Sequence, residues 1–199
     1  MIITIGREHG SGGHEIARLL SEALGCACYD KEIVDHAAES SNFSREVLDS
    51  FDEKRVSPYV VPVPNYIGMG ESFRLNMQVA AAQFDAIRAL AEEGDGIFVG
   101  RCADYVLRNR ADLLRVFVQA GEDSRIREMM KRRDLTEEQA KKLIRQVDKD
   151  RASYYRYYTD QIWGEAANYD LVVDTGRISI EGAAQTILTF AEELQKTLE

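Results

Sequence analysis

Met1-Ile-Ile-Thr-Ile-Gly-Arg-Glu-His-Gly10-Ser-Gly-Gly-His-Glu15 opens the chain, and the fold is read outward from it. Ile2, Ile3 and Ile5 form a short β-branched run of the kind buried as a strand. Gly10-Ser-Gly-Gly13 interrupts that run. Ile16, Leu19, Leu20, Ala23 and Leu24 then recur at helical spacing and predict a helix with one apolar face. Strand, glycine loop and helix in this order form a phosphate cradle. Glycines let backbone N–H groups converge on an anion, and the helix N-terminus adds partial positive charge. The plainer reading is a tight strand-to-helix turn, and the rest of the chain weighs against it.

The loop departs from the phosphate-loop pattern G-x-x-x-x-G-K-[ST]. Arg7 stands where the first glycine is expected, five residues before Gly12, and Gly13 takes the lysine position. His14 and Glu15 fill the places where a magnesium-binding hydroxyl belongs. Gly10, Ser11, Gly12, Gly13, His14 and Glu15 are therefore the candidate phosphate-binding residues.

At 199 residues the chain is read as one domain, with enough apolar sequence for a sizeable core. No apolar run approaches membrane-spanning length, and no secretory pattern precedes Arg7. Cys26, Cys28 and Cys102 suggest neither a disulfide framework nor a zinc site; they read as small hydrophobes of strands in a reducing cytoplasm. A net charge of −9 argues against general binding to nucleic acid or to anionic membrane. Residues 125–156 nevertheless hold eleven basic side chains against six acids, a net of +5 that leaves −14 on the remainder. Local basicity on an acidic protein suits a small anionic ligand better than a polymer.

Further strands are expected at Cys26–Asp30, Ile97–Val99, Leu113–Val118 and Leu171–Asp174. Between them, helices are expected over Lys31–Glu39, Ser44–Lys54 (Ser44 as N-cap), Glu71–Glu93 and Asp123–Arg133. Another follows the capping box Thr136-x-x-Gln139, and a last one follows Ser179. Residues 56–70 contain Pro58, Pro62, Pro64, Gly68 and Gly70 and read as an ordered flap without regular structure. Phe73, Met77, Ala80, Phe84, Ile87 and Ala91 form the stripe of the long helix, read as core, with a homodimer interface as the open alternative. Strands alternating with helices imply a parallel sheet with its ligand at the carboxyl ends of the strands.

On that rule the strand ends deliver the glycine loop, Asp30, Arg101 and Asp174-Thr-Gly to one crevice. Phosphoryl transfer needs positioning and charge neutralisation: an acid to orient a hydroxyl or metal-bound water, and an arginine to clamp a phosphate. The basic segment could close over phosphates as a lid and exclude water. Arg132, Arg133, Arg151 and Arg156 are its candidate phosphate ligands, because the planar guanidinium fork suits phosphate better than lysine does. Tyr154-Tyr-Arg-Tyr-Tyr158, with Trp163, reads as packing rather than a base-stacking platform.

Five segments carry a resemblance: Gly6–Ala17, Tyr29-Asp-Lys-Glu32, Val99-Gly-Arg-Cys-Ala-Asp104, Arg151-Ala-Ser-Tyr-Tyr155 and Tyr169–Gly176. Together they resemble the cytidylate kinase-like family, a divergent branch of the P-loop nucleoside monophosphate kinases. The resemblance implies a three-layer α/β fold with a five-stranded parallel sheet of order 2-3-1-4-5. It also implies an acceptor-binding region near 40–93, a lid near 125–160, ATP with Mg2+, and transfer of the γ-phosphoryl group to a nucleotide such as CMP. By position, Gly10 to His14 hold ATP phosphates, Asp30 lies near acceptor and metal, and Arg101 binds the acceptor phosphate. Lys31 and Asp104 belong to the acceptor side, and Arg132 and Arg133 are lid arginines. Asp148-x-Asp150-Arg151 matches an acid-and-arginine segment for which Arg151 and Arg156 are both in range. With no lysine at position 13, Arg7, Lys31 or a lid arginine must meet the charge of the transferring group. The rival reading is a catalytically silent nucleotide-binding module.

Overall fold

The computed structural model describes residues 1–55 and 67–198, with backbone alone for 67–73. Strands β1 (Ile2–Arg7), β2 (Ala27–Tyr29), β3 (Gly96–Val99), β4 (Leu113–Gln119) and β5 (Leu171–Asp174) pair in parallel in the order β2-β3-β1-β4-β5. Ile5 lies opposite Val99 on one side and Val116 on the other. The strands are near-continuous apolar runs because helices cover both faces of the sheet. Ile3, Ile5, Ile97, Val99, Leu114, Val116 and Val118 share one core with α1 (Gly13–Leu24) and α8 (Ile180–Leu198). Ile2, Phe98 and Leu113 share the other with α2 (Lys31–Ser40), α3 (Arg45–Phe51) and α4 (Ile67–Glu92). The period-two alternation of strand side chains thus divides Ile2 from Ile3 and Ile5.

After β3 comes a single turn of helix, α5 (Ala103–Val106). After β4 come α6 (Glu122–Arg133) and α7 (Glu137–Thr159), a helical pair with its own small core of Ile126, Met129, Ala140 and Ile144. The Thr136–Gln139 capping box starts α7 with both reciprocal bonds made. Ser44 caps α3, and the Ser179 hydroxyl accepts from the Gly182 N–H at the start of α8.

Four expectations need correction. The long helix begins at Ile67, so Gly68 and Gly70 lie inside it rather than in the flap. The rest of that flap, 56–66, lies outside the described residues. Met77, assigned to the core stripe, is 42% exposed. The buried set Val79, Ala80, Gln83, Ala86, Ile87, Leu90 and Ala91 extrapolates back to position 76, which leaves Met77 roughly 100° further round the helix. Ala23 and Leu24, in the expected apolar face of α1, are both exposed in that helix's last turn. Cys102 is buried, but it sits in a left-handed turn rather than a strand.

Candidate active site

β1 delivers the chain into the glycine loop, which is tied down on its far side. Glu8 N–H and the Ser11 hydroxyl both donate to the Val118 carbonyl, at 3.0 Å each. Thr175, at the end of β5, donates from its hydroxyl to the Ser11 carbonyl at 2.8 Å. Ser11 is accordingly buried beneath the loop as an anchor. Gly12 caps α1 in the left-handed region (φ 82°), where a side chain would also run into Ile180.

Above the loop is a cavity of about 330 Å3. It is lined by Arg7, Glu8, His9, Gly10, Gly12, Gly13, His14, Asp30, Lys31, Met129, Arg132, Arg133 and Arg151. The sheet ends, the start of α2, the end of α6 and the middle of α7 therefore meet at one place. Of the candidates named from sequence, Arg7, Gly10, Gly12, Gly13, His14, Asp30, Lys31, Arg132, Arg133 and Arg151 are brought together there.

The wall towards β3 is a lattice of arginines and carboxylates. Arg7 Nη1 donates to Glu53 Oε1 at 2.6 Å, and Arg151 Nε to Glu53 Oε2 at 3.2 Å. The Arg101 backbone N–H also donates to Glu53 Oε1, at 3.0 Å. The Arg101 guanidinium, itself 3% exposed, donates to Asp30 Oδ1 at 2.9 Å and to Asp52 Oδ2 at 2.6 Å. Asp30 Oδ2 meets His14 Nδ1 at 2.9 Å. Burial pushes the Asp30 carboxyl up, but Arg7 and Arg101 outweigh it and hold Asp30 below its ordinary value. Burial likewise works against the Glu53 charge, and Arg7, Arg151 and Arg101 override it by a wide margin. Asp52 goes the other way: burial and the Glu53 charge raise it despite Arg101. His9 is pushed down to about 4 by burial and then by Arg151 and Arg133, so its ring is neutral near pH 7.

The backbone beside this lattice is strained. Gly100, Arg101 and Cys102 all have positive φ (75°, 52° and 57°), two of them without glycine's freedom. Such residues persist only where their surroundings over-determine them, and here Glu53 and the buried guanidinium of Arg101 do so.

Besides Ser11, the buried anchor beneath the loop, five candidates sit elsewhere. Arg101 lies behind Asp30, and Asp104 accepts from the Tyr155 hydroxyl at 2.7 Å; both line a recess of about 20 Å3 with Arg7, Glu53 and Arg151. Asp148 accepts from the His9 backbone N–H at 2.7 Å and pairs with Arg125, so it fixes the loop from outside the cavity. Arg156 is exposed and faces Asp160, and Glu15 is exposed on α1; neither lines the cavity. Tyr154 and Tyr155 are buried with Cys102, against Phe84, Tyr158 and Trp163, so that run is packing.

The comparisons agree with this architecture. A model of the cytidylate kinase-like family matches residues 2–177. The chain belongs to the cytidylate kinase-like family. It is 29% identical over 196 residues to a cytidylate kinase of Methanothrix thermoacetophila, covering 98% of this chain and 100% of that one. To a cytidylate kinase of Methanopyrus kandleri it is 27% identical over 192 residues, covering 90% and 86%. Among solved structures, an uncharacterized protein of Eubacterium ventriosum superposes with a TM-score of 0.75 at 26% identity, covering 96% of this chain and 98% of that one. A shikimate kinase of Bacteroides thetaiotaomicron gives 0.56 at 15% identity over 96% and 98%, a likeness of fold alone.

In this cytidylate kinase-like chain the sequence reading missed Glu8, His9, Asp52 and Glu53. A signal for the last two existed. Asp52-Glu53 follows the C-terminus of α3, where the helix dipole disfavours acids, so two adjacent carboxylates there need cationic partners from elsewhere.

Proposed function

We propose that this protein is an ATP-dependent phosphotransferase that moves the γ-phosphoryl group to a nucleoside monophosphate of the CMP type or a similar small anionic acceptor. One observation carries the reading: the cavity over the glycine loop collects Arg7, Lys31, Arg132, Arg133 and Arg151 around Glu8 and Asp30. Phosphoryl transfer is governed by positioning and by neutralising charge on the transferring group, and this cavity is built of groups that do both. The names of the two cytidylate kinase relatives support a CMP-like acceptor.

In this reading the loop N–H groups and the α1 N-terminus hold the ATP phosphates. Arg132 and Arg133, at the end of α6, act from a lid. A magnesium ion brought in with the nucleotide would neutralise phosphate charge, and one or two carboxylates of this site would hold it. Asp30, fixed by Arg101 and His14, fits that role. Arg101, Asp104 and Asp148 shape the acceptor side, and Arg156 joins them only if α7 moves. Three free cysteines suit a cytoplasmic setting. The test is ADP release from ATP–Mg with CMP, dCMP, UMP, AMP and GMP in turn. Turnover with one pyrimidine monophosphate, lowered about 100-fold or more by Asp30→Asn, is expected. No product with any acceptor would sink the reading.

The second reading, a nucleotide-binding module without turnover, is favoured by the missing lysine and hydroxyl and by Arg101 being held between two carboxylates. It predicts that ATP raises the melting temperature while no acceptor is phosphorylated.

A further inference from the structure

The loop breaks its pattern at two places, and in the fold those two places touch. Where G-x-x-x-x-G-K-[ST] has glycine and then lysine, this chain has Arg7 and then Gly13. A Cβ on Gly13 would lie 2.6 Å from Arg7 Cβ and 2.9 Å from Arg7 Cγ, closer than carbon atoms tolerate. The arginine stem occupies the space that a side chain at position 13 would need. The glycine and the cation have exchanged places.

We propose that Arg7 is the fixed phosphate-binding cation of this loop, the counterpart of the absent lysine, and that Glu53 is its positioning residue. The proposal rests on the nucleotide-binding reading above and selects one cation from those that line the cavity. Lys31, Arg132 and Arg133 are exposed and, among the described residues, have no ion-pair partner to fix them. Arg7 is fixed by Glu53 through Nη1, while Nε and Nη2 have no partner among the described residues and remain available to an anion. Arg151 reinforces the arrangement, donating from Nη1 to the Arg7 carbonyl at 3.0 Å and from Nε to the same Glu53. Gly100 completes it, since a side chain there would collide with Arg7 Nη1 and with Glu53.

The experiment is calorimetric titration of the full chain with inorganic tripolyphosphate, with circular dichroism on every variant. The variants are Arg7→Gln, Gly13→Lys, Glu53→Gln and the exchange pair Arg7→Gly with Gly13→Lys, which rebuilds the glycine–lysine pattern. Arg7→Gln should weaken binding about tenfold or more, as loss of a charge-assisted phosphate contact does. Gly13→Lys alone should also weaken it, because the new side chain meets Arg7. The exchange pair should return to near the parent affinity. Glu53→Gln should weaken binding in the parent but not in the exchange pair, whose lysine does not use Glu53; a merely structural Glu53 would move both. Folded Arg7→Gln that binds as tightly as the parent overturns the exchange and leaves the nucleotide reading intact. A parent that binds neither tripolyphosphate nor ATP overturns both.

Discussion

Glu53 accepts from Arg7, Arg151 and the Arg101 backbone at once, so its charge sets the balance of the lattice. Removing one member of a buried ion pair leaves the others uncompensated, at about 3–5 kcal/mol. Glu53→Gln should therefore lower unfolding free energy by about 3 kcal/mol near pH 7, read by urea denaturation. A change under about 0.5 kcal/mol, typical of a surface site, would mean that the lattice is not closed in solution. The Glu53 carboxyl is held far below its unfolded value, so its contribution is present above about pH 4.5 and is lost as pH falls through the folded value. His9 also penalises acid. Its ring, pushed down to about 4, binds fewer protons folded than unfolded, so stability should fall as pH drops from about 6.5 towards about 4. His9→Gln should flatten that slope, and an NMR titration should find the His9 ring neutral until about pH 4. A midpoint near 6.5 would contradict the burial and the Arg151 and Arg133 proximity that depress it.

At the scale of elements, α7 links the two halves of the site. Asp148, Arg151 and Tyr155 lie three and four residues apart on one face, so they reach the His9 backbone, Glu53 and Asp104 in succession. Its start depends on the Thr136 cap, and Thr136→Ala should cost about 1 kcal/mol in thermal denaturation. The turn after β3 is more demanding. Gly100→Ala would impose a side chain at φ 75° and force Arg7 off Glu53, so it should cost about 2 kcal/mol or more and weaken anion binding as well. The elements themselves were legible in sequence because each signal is local: short apolar runs for the strands (β-branched in all but β2, Ala27–Tyr29), Thr136 and Gln139 three apart, Ser44 before α3. The start of α4 was not legible. Gly68 and Gly70 look like breakers, but each costs only about 1 kcal/mol inside a helix, which a long buried face further along can offset. The parallel-sheet rule led to the glycine loop and Asp30 at the cavity, but Arg101 and Asp174, read from the same rule, do not line it. The lattice was not legible, because Glu53 meets partners 46 and 98 residues away, which no local pattern encodes.

Across the whole molecule, charge separation selects the kind of ligand that can enter. The protein carries −9, while the segment spanning most of α6 and α7 is +5 and places Arg132, Arg133 and Arg151 at the cavity. A nucleic acid would bring phosphates along a large acidic surface, whereas a nucleotide presents its charge only to the pocket. Among the described residues, five cations share one cavity and repel one another, with only Glu8 and Asp30 as acids lining it in return. A bound polyphosphate relieves that repulsion, so it should stabilise the fold as well as occupy it. At a free concentration of about 100 Kd the gain is about 2.7 kcal/mol. For a chain of this size that is roughly 5–10 °C in melting temperature. Because the cavity is partly solvated, the shift should shrink as sodium chloride rises towards about 1 M, where screening acts within about 3 Å. Duplex DNA at equal phosphate concentration should produce no shift. A DNA shift matching that of ATP would show that the basic segment acts as an open surface, and that the cavity does not set selectivity.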